Sequence, residues 1–506
     1  MKVLLIYPDL NVHVSFPIGM SLIASVLAAH GHSTRIIHYN EEIGNPLDLD
    51  DLDAQIGRFE PELIAFSSVS NQYKYVKIIA AHIKKKYDVP TVLGGVHGTI
   101  TPGSVLLGGD IDIVVMGEGE LAIVELTKKL ENKEDYSALD NIATLVDGAV
   151  RINPLRKLLD RASIDTLPFP DRSGFNYGLI LEKKRGWANV MAGRGCVRKC
   201  TYCVNHFFHK IYADKNSPKE MLRCRSVDRV IEEIHQMVAE YPAIQIINID
   251  DDNLAFDKNW LTDFCAQYSL KIKLPFACNV HPSTFDADIA KMLAEAGCNE
   301  IKIGLEAGSE RLRRDVLKRI GSDESIEKAF AVAAESGIRS WSFNMIGMPT
   351  ETEEEILLTA KLNARIRPYI IRCSIFYPYE GTDLFRYSEE HNLIDHRREE
   401  DVSSHFEDSI LDMPQLPPQQ IVKMKTMFKW YVDSQSDTEA APLFRELIRA
   451  FDKLPDDAWL SVSGKELFKT IDAGIDNLLR EARLEHYATR GHLDLNFTKQ
   501  WGWQLP

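Results

Sequence analysis

The sequence predicts an α/β protein: a parallel sheet wound on both sides by helices, then an open six-stranded relative of the eight-stranded barrel, then a helical C-terminal region. Two observations carry this. Short β-branched runs alternate with helical periodicity from residue 1 to about 150, and the same alternation resumes near residue 187. The loops that follow these runs are rich in Gly, Ser and acidic residues, as expected where ligands meet the carboxyl ends of parallel strands.

In the first stretch the expected strands are Val3–Ile6, Thr34–Ile37, Leu63–Phe66, Thr91–Leu93 and Ile113–Met116. Ile18, Leu22 and Val26, with Ile23 and Leu27 beside them, make one apolar helix face between the first two. Val76, Ile79 and Ile83 make another before the fourth. Near-continuous apolar strands separated by helices imply a sheet covered on both faces. The third strand runs into Ser67, Ser68 and Ser70, the fourth into "GGVHGTITP", the fifth into "GEGE". Any one of these is an ordinary turn; three on one sheet edge favour a bound cofactor. No G-x-G-x-x-G follows the first strand, which argues against a dinucleotide. "IATLVDGAVRIN" reads as a hairpin turning at Asp147-Gly148. Residues 153–185, with Pro168 and Pro170, read as a linker.

In the second stretch strands are expected at Ala188–Met191, Gln245–Ile249, Pro275–Cys278, Glu300–Ile303, Arg339–Met345 and Arg372–Phe376. Val227, Val230, Ile231 and Ile234 mark a helix between the first two, and Thr352 with Glu355 forms a capping box after the fifth. Such barrels place their chemistry at the carboxyl ends of the strands. Just past the first strand stands "GRGCVRKCTYCVN", with Cys196, Cys200 and Cys203. An odd count in a cytosolic chain does not fit a disulfide. Structural zinc wants four ligands, and His206 and His209 leave that reading open. Three thiolates on a four-iron cluster would leave one iron free for a second ligand, unlike full four-cysteine ligation. The remaining cysteines, Cys224, Cys265, Cys278, Cys298 and Cys373, are scattered and read as small hydrophobes.

Two resemblances sharpen this. "FPIGMSLIASVLAAHGH", "GGVHGTITP" and "VVMGEGE" resemble the cobalamin-binding domain found before the barrel in many radical S-adenosylmethionine (SAM) enzymes, and C-x-x-x-C-x-x-C with an aromatic before the last cysteine is the signature of that superfamily. The resemblance implies a Rossmann-like cobalamin-binding domain over 1–152, the linker, a radical SAM partial barrel over 186–395 and a helical domain over 396–506. It implies three cofactors: a four-iron four-sulfur (4Fe-4S) cluster on Cys196, Cys200 and Cys203, S-adenosylmethionine, and cobalamin. Corrinoid contacts are implied for Ser67, Ser68, Ser70, Gly94, Gly95, His97, Gly117 and Glu118. SAM contacts are implied for Tyr202, Asp250, Asp251, Asp252, Asn279, Glu306, Ser309 and Asn344, with "NMIGMPTET" and "YPYEGTDLF" as adenine-side loops. Many cobalamin domains carry D-x-H-x-x-G after the first strand; here Asn11-Val-His13-Val-Ser-Phe16 lacks the aspartate and glycine. A histidine without an orienting carboxylate is a poor metal ligand, so we expect cobalamin with no protein histidine below the cobalt.

The implied activity is a cobalamin-dependent radical methyltransferase that adds a methyl group to an unactivated carbon, or to phosphorus, of a small molecule through a 5′-deoxyadenosyl radical and methylcobalamin. Rival readings are a cyclisation, ring contraction or oxidation with the same cofactors, or a zinc-bound scaffold. The expected partners are a small-molecule substrate and a reducing protein such as flavodoxin or ferredoxin. A formal net charge of -15 argues against nucleic acid, and no run approaches the roughly 20 apolar residues that span a bilayer, so a cytoplasmic location is expected. Trp501 and Trp503 read as core anchors or as part of a pocket closure.

Overall fold

The computed structural model describes residues 1–319, 321–399, 408–459, 461–482, 484 and 486; Trp501 and Trp503 lie outside them. The described residues form two compact units, one of Met1–Asp251 with Tyr379–Phe385, the other of Asp252–Pro378 with the described residues from Arg386 onward.

The first unit begins with strands β1 (Lys2–Pro8), β2 (Ser33–Tyr39), β3 (Leu63–Ser67), β4 (Thr91–Gly94) and β5 (Ile113–Val115), all parallel. β1 lies between β2 and β3, and Val3, Leu4, Leu5 and Ile6 are buried on both of its faces. That explains the unbroken apolar run, because helices cover each side. The helix Tyr73–Lys86 buries Val76, Ile79, Ala80 and Ile83, the stripe expected from spacing. The expected hairpin forms as β6 (Ile142–Val146) and β7 (Ala149–Ile152), turning through Asp147 and Gly148, both at positive φ. It extends the sheet antiparallel to β5, giving the order β2-β1-β3-β4-β5-β6-β7.

Residues 153–185 are not a bare linker. They contain helices Arg161–Asp165 and Tyr177–Lys183, and Arg172 is buried against Glu233 at 2.7 Å with its guanidinium over the rings of Phe16 and Tyr177. A buried, bidentate-capable cation fixes a segment whose prolines alone would mark only turns.

A second sheet has the order β15-β14-β13-β12-β11-β8, an open parallel half-barrel. Its strands are β8 (Trp187–Val190), β11 (Ile246–Ile249), β12 (Phe276–Val280), β13 (Cys298–Glu306), β14 (Arg339–Ile346) and β15 (Ile370–Ile375), with a short antiparallel pair, β9 (Gly193–Arg194) and β10 (Arg223–Cys224), inserted after β8. The helix Val227–Glu240 buries Val227, Val230, Ile231, Ile234 and Met237. The capping box of Thr352 and Glu355 opens the helix Glu353–Ile366. Of the C-terminal helices Pro418–Thr426, Phe428–Ser434, Ala441–Phe451 and Val462–Glu481, the last two pack Phe444, Phe451 and Phe468 on Trp430, whose Nε1 donates to Asp472 Oδ1 at 2.7 Å. Among the described residues no helix is long and apolar enough to cross a membrane.

Candidate active site

The three cysteines lie in the loop after β9, past the carboxyl end of β8. None forms a disulfide; Cys200 is buried and the other two are half-buried. Gly195 holds φ +82°, and a Cβ there would collide with the Met221 carbonyl, so only glycine lets the loop pass. Cys203 N donates to the Cys200 carbonyl at 3.1 Å, and Cys203 caps the helix Val204–Ile211. The histidines that left zinc open are engaged elsewhere: His209 Nε2 lies 2.7 Å from the Cys196 carbonyl oxygen and His206 Nε2 lies 3.0 Å from Asp383 Oδ2. A cube spreads its thiolates over separate corners, which suits three thiols strung along one short loop.

The loop is tied to the end of β5 by an ion-pair cluster that spacing did not reveal. Arg194, two residues before Cys196, reaches Glu118 Oε1 at 2.9 Å and Glu120 Oε1 at 2.6 Å; Arg223 on β10 reaches the same Glu118 oxygen at 2.7 Å. Glu118 Oε2 accepts the Leu159 N–H at 2.8 Å. Burial works against the Glu118 carboxylate, yet the two guanidiniums outweigh it and hold the pKa below its ordinary value. Glu118 was expected at a corrinoid; its oxygens are instead committed to the protein. Gly117 likewise gives room to Tyr212, whose hydroxyl oxygen would collide with a Cβ. Cys224, read as scattered, stands in register opposite Gly193.

At the corrinoid edge the "GGVHGTI" segment is a helix, Gly95–Ile100, not an open loop. Gly95, at φ +89°, lets the Ser67–Ser68 backbone lie against it, while a Cβ on Gly94 would meet nothing closer than 3.8 Å. Space therefore remains over the end of β4, beside the half-exposed Val69 and the Ser67 side chain. A flat apolar macrocycle with polar edge groups suits that surface, so the residues fit cobalamin. Ser68 Oγ donates to the Val69 carbonyl at 2.8 Å, and His97 Nδ1 lies 3.1 Å from Ser70 Oγ. His97 is buried against Tyr73, ring centroids 4.0 Å apart, and burial pushes its pKa down to about 4. His13 is exposed, and, contrary to the expectation that it has no orienting carboxylate, its Nδ1 lies 2.7 Å from Glu42 Oε1.

The acidic run after β11 braces the first unit. Asp251 Oδ1 accepts the Ala192 N–H at 2.7 Å, and Asp250 accepts from Asn189 and Asn248. Asp252 is exposed. In the second unit Asn279 stands in register beside Lys302. Glu306 ends β13 at φ +66° with Arg319 Nη2 3.8 Å from its carboxylate. Two expected contacts turn away: Ser309 Oγ donates to Glu355 Oε1 at 2.7 Å, and Asn344 bonds Ser342 at 2.6 Å and Asn363 at 2.8 Å in the helix layer. The segment Tyr379–Phe385 returns to the first unit, where Asp383 pairs with His206 and Lys210 and Leu384 N donates to the Thr201 carbonyl at 3.1 Å.

Comparison with known families agrees with both halves. Residues 12–127 match the B12 binding domain and residues 190–362 match the radical SAM superfamily. The chain is a cobalamin-binding radical SAM enzyme. Its cofactors are accordingly a 4Fe-4S cluster, S-adenosylmethionine and cobalamin. An uncharacterized methyltransferase of Pyrococcus horikoshii is 28% identical over 415 residues, 78% of this chain and 84% of that one. The cytidylyl-2-hydroxyethylphosphonate methyltransferase of Streptomyces wedmorensis is 25% identical over 69% of this chain and 73% of its own. An anaerobic magnesium-protoporphyrin IX monomethyl ester cyclase of Rubrivivax gelatinosus is 23% identical over 73% of this chain and 66% of its own. Among solved structures, the radical SAM methyltransferase TsrM of Kitasatospora setae shares the fold, with TM-score 0.62 at 18% identity over 77% of this chain and 76% of that one.

Proposed function

We propose that this radical SAM enzyme methylates an unactivated carbon of a small molecule, with phosphorus as the second acceptor to test. The observation that carries the reading is the Glu118–Arg194–Glu120 cluster, which pins the cysteine loop to the B12-domain loop after β5 within one compact unit. That arrangement suits an enzyme in which one-electron cleavage and methyl delivery must be coordinated. The methyltransferase relatives support it.

In this reading Cys196, Cys200 and Cys203 hold the cluster, and Ser67, Ser70, Gly94, Gly95 and His97 line the corrinoid. Tyr202, Asp252, Asn279 and Glu306 are the remaining candidates for SAM. When bound, these cofactors supply an electron to split the sulfonium and a carrier for the methyl group. The chain's own work is to hold the thiol-bearing loop in one shape, to keep its anchoring charges paired, and to exclude water and other quenchers of a radical. A small external reducing protein in the cytoplasm would supply the electron.

The test is anaerobic turnover of reconstituted enzyme on candidate metabolites with SAM carrying a labelled methyl group. Label in the product at carbon supports the reading; label on phosphorus moves the acceptor. A second reading, cofactor-dependent cyclisation without methyl transfer, is favoured by the cyclase relatives. An unlabelled product with new ring mass would establish it.

A further inference from the structure

The inner face of the second unit's strands carries an arginine with no counter-charge among the described residues. Ser342 and Asn344 bond Asn363 in the helix layer, so alternation turns Trp341, Phe343 and Met345 to the opposite, inner face. In the parallel register Lys302 stands beside Trp341 and Arg372 beside Phe343. Both cations reach the same indole: the Arg372 guanidinium is 5.7 Å from the Trp341 ring and the Lys302 ammonium 5.9 Å.

Arg372 Nε and Nη2 are buried and have no hydrogen-bond partner, and among the described residues Arg372 makes no ion pair. Burial alone lowers its pKa to about 10. Lys429 lies close enough to feel it: burial, then Arg372, push the lysine down to about 8. Glu300 and Glu306 on this face are already engaged: Glu300 pairs with Arg339 and accepts the Trp341 Nε1–H at 2.6 Å, and Glu306 faces Arg319 Nη2 at 3.8 Å. Asp433 and Asp472 act on Lys429, not on Arg372. A desolvated guanidinium left unpaired is costly. Its planar fork matches the two oxygens of a carboxylate or phosphate.

We propose that Arg372 holds an anionic group of the substrate, a carboxylate or a phosphate, on the inner face of the half-barrel, within a positive field from Lys302 and Lys429. The substrate role rests on the function proposed above; the anion site does not. The test uses full-length, anaerobically reconstituted protein titrated with inorganic phosphate and, separately, benzoate, against potassium chloride at equal ionic strength. Trp341 fluorescence and calorimetry report binding.

Wild type is expected to bind one probe. Arg372→Met should weaken it about tenfold to a hundredfold, and Arg372→Lys, which keeps charge without the fork, should fall between. Exposed Arg367→Met should bind as wild type. Without probe, Arg372→Met should melt higher than wild type because an unpaired buried charge is gone. If neither probe binds wild type, or if Arg372→Met binds normally and melts lower, the arginine is a packing residue and the proposal fails. If SAM displaces the probe one for one, the site belongs to the cosubstrate and the substrate assignment fails. Methyl transfer is scored separately, so its absence with intact probe binding sinks only the methyltransferase reading.

Discussion

Replacing Glu351 with glutamine should remove a pH dependence that the fold builds in. Glu351 is fully buried in the turn after β14. Its Oε2 accepts the Gly347 N–H at 2.6 Å and the Met348 N–H at 3.0 Å, but Oε1 is buried without a partner. Burial outweighs the two amides and pushes its pKa from 4.5 up to about 8. The folded state therefore holds a proton that the unfolded chain has released. Stability from this group is complete below pH 4.5, falls as pH rises, and is exhausted above about 8. At about 1.4 kcal/mol per pH unit for one proton, that window corresponds to about 5 kcal/mol. Glutamine keeps an oxygen for the two amides and carries no charge. In thermal or urea melts from pH 5 to 9, the difference between Glu351→Gln and wild type should move in the variant's favour with rising pH and level off above 8. Parallel curves across that range would refute the reasoning, because they would mean that the buried oxygen is solvated or ionised without cost.

Three further outcomes follow from the first unit. Arg194→Met takes the ion-pair partner from the buried Glu120 while Arg223 still holds Glu118, and breaking a buried pair costs about 3–5 kcal/mol; reconstituted protein should retain less iron, measured by metal analysis, while Arg194→Lys recovers part of it. Gly195→Ala must leave φ +82° and displace the Met221 carbonyl, so its cluster spectrum should be weak even where circular dichroism shows an intact fold. His97 is favoured neutral in the fold, so its contribution is present above its ordinary pKa of 6.5 and is lost as pH falls toward 4; His97→Gln should flatten the acid limb of the melting profile.

The layered architecture was readable because it depends on patterns that survive without tertiary knowledge. Val76, Ile79 and Ile83 face the core because a 3.6-residue period leaves no other way to bury them, and Val3–Ile6 form a central strand because only a doubly covered strand is apolar on both faces. The hairpin turned where Asp147-Gly148 permits two successive positive φ values. The two short helices in the linker from 153 to 185 were not legible because the segment's anchor, Arg172, bonds a residue 61 positions away. No local spacing reports such a partner.

The same limit explains the site. A motif tells which residues stand together in sequence, but not whether their side chains face a ligand or the scaffold. "GEGE" draws attention to Glu118 as a polar group near a cofactor edge, yet its distinguishing property is long-range, a pair of arginines 76 and 105 residues later. Asn344 and Ser309 are spent on the helix layer, and Asp251 on the backbone before the cysteines. These residues still serve the chemistry by holding its geometry, since a side chain that orients a loop constrains what the loop holds as strongly as a direct contact does. Arg372 shows the converse. Nothing in "IIRCSIFYP" distinguishes it, and what marks it out is that its buried Nε and Nη2 have no hydrogen-bond partner among the described residues. In this chain motif polar groups that find protein partners build the frame, and an unremarkable arginine whose buried donors find no acceptor among the described residues is the one we propose meets a ligand.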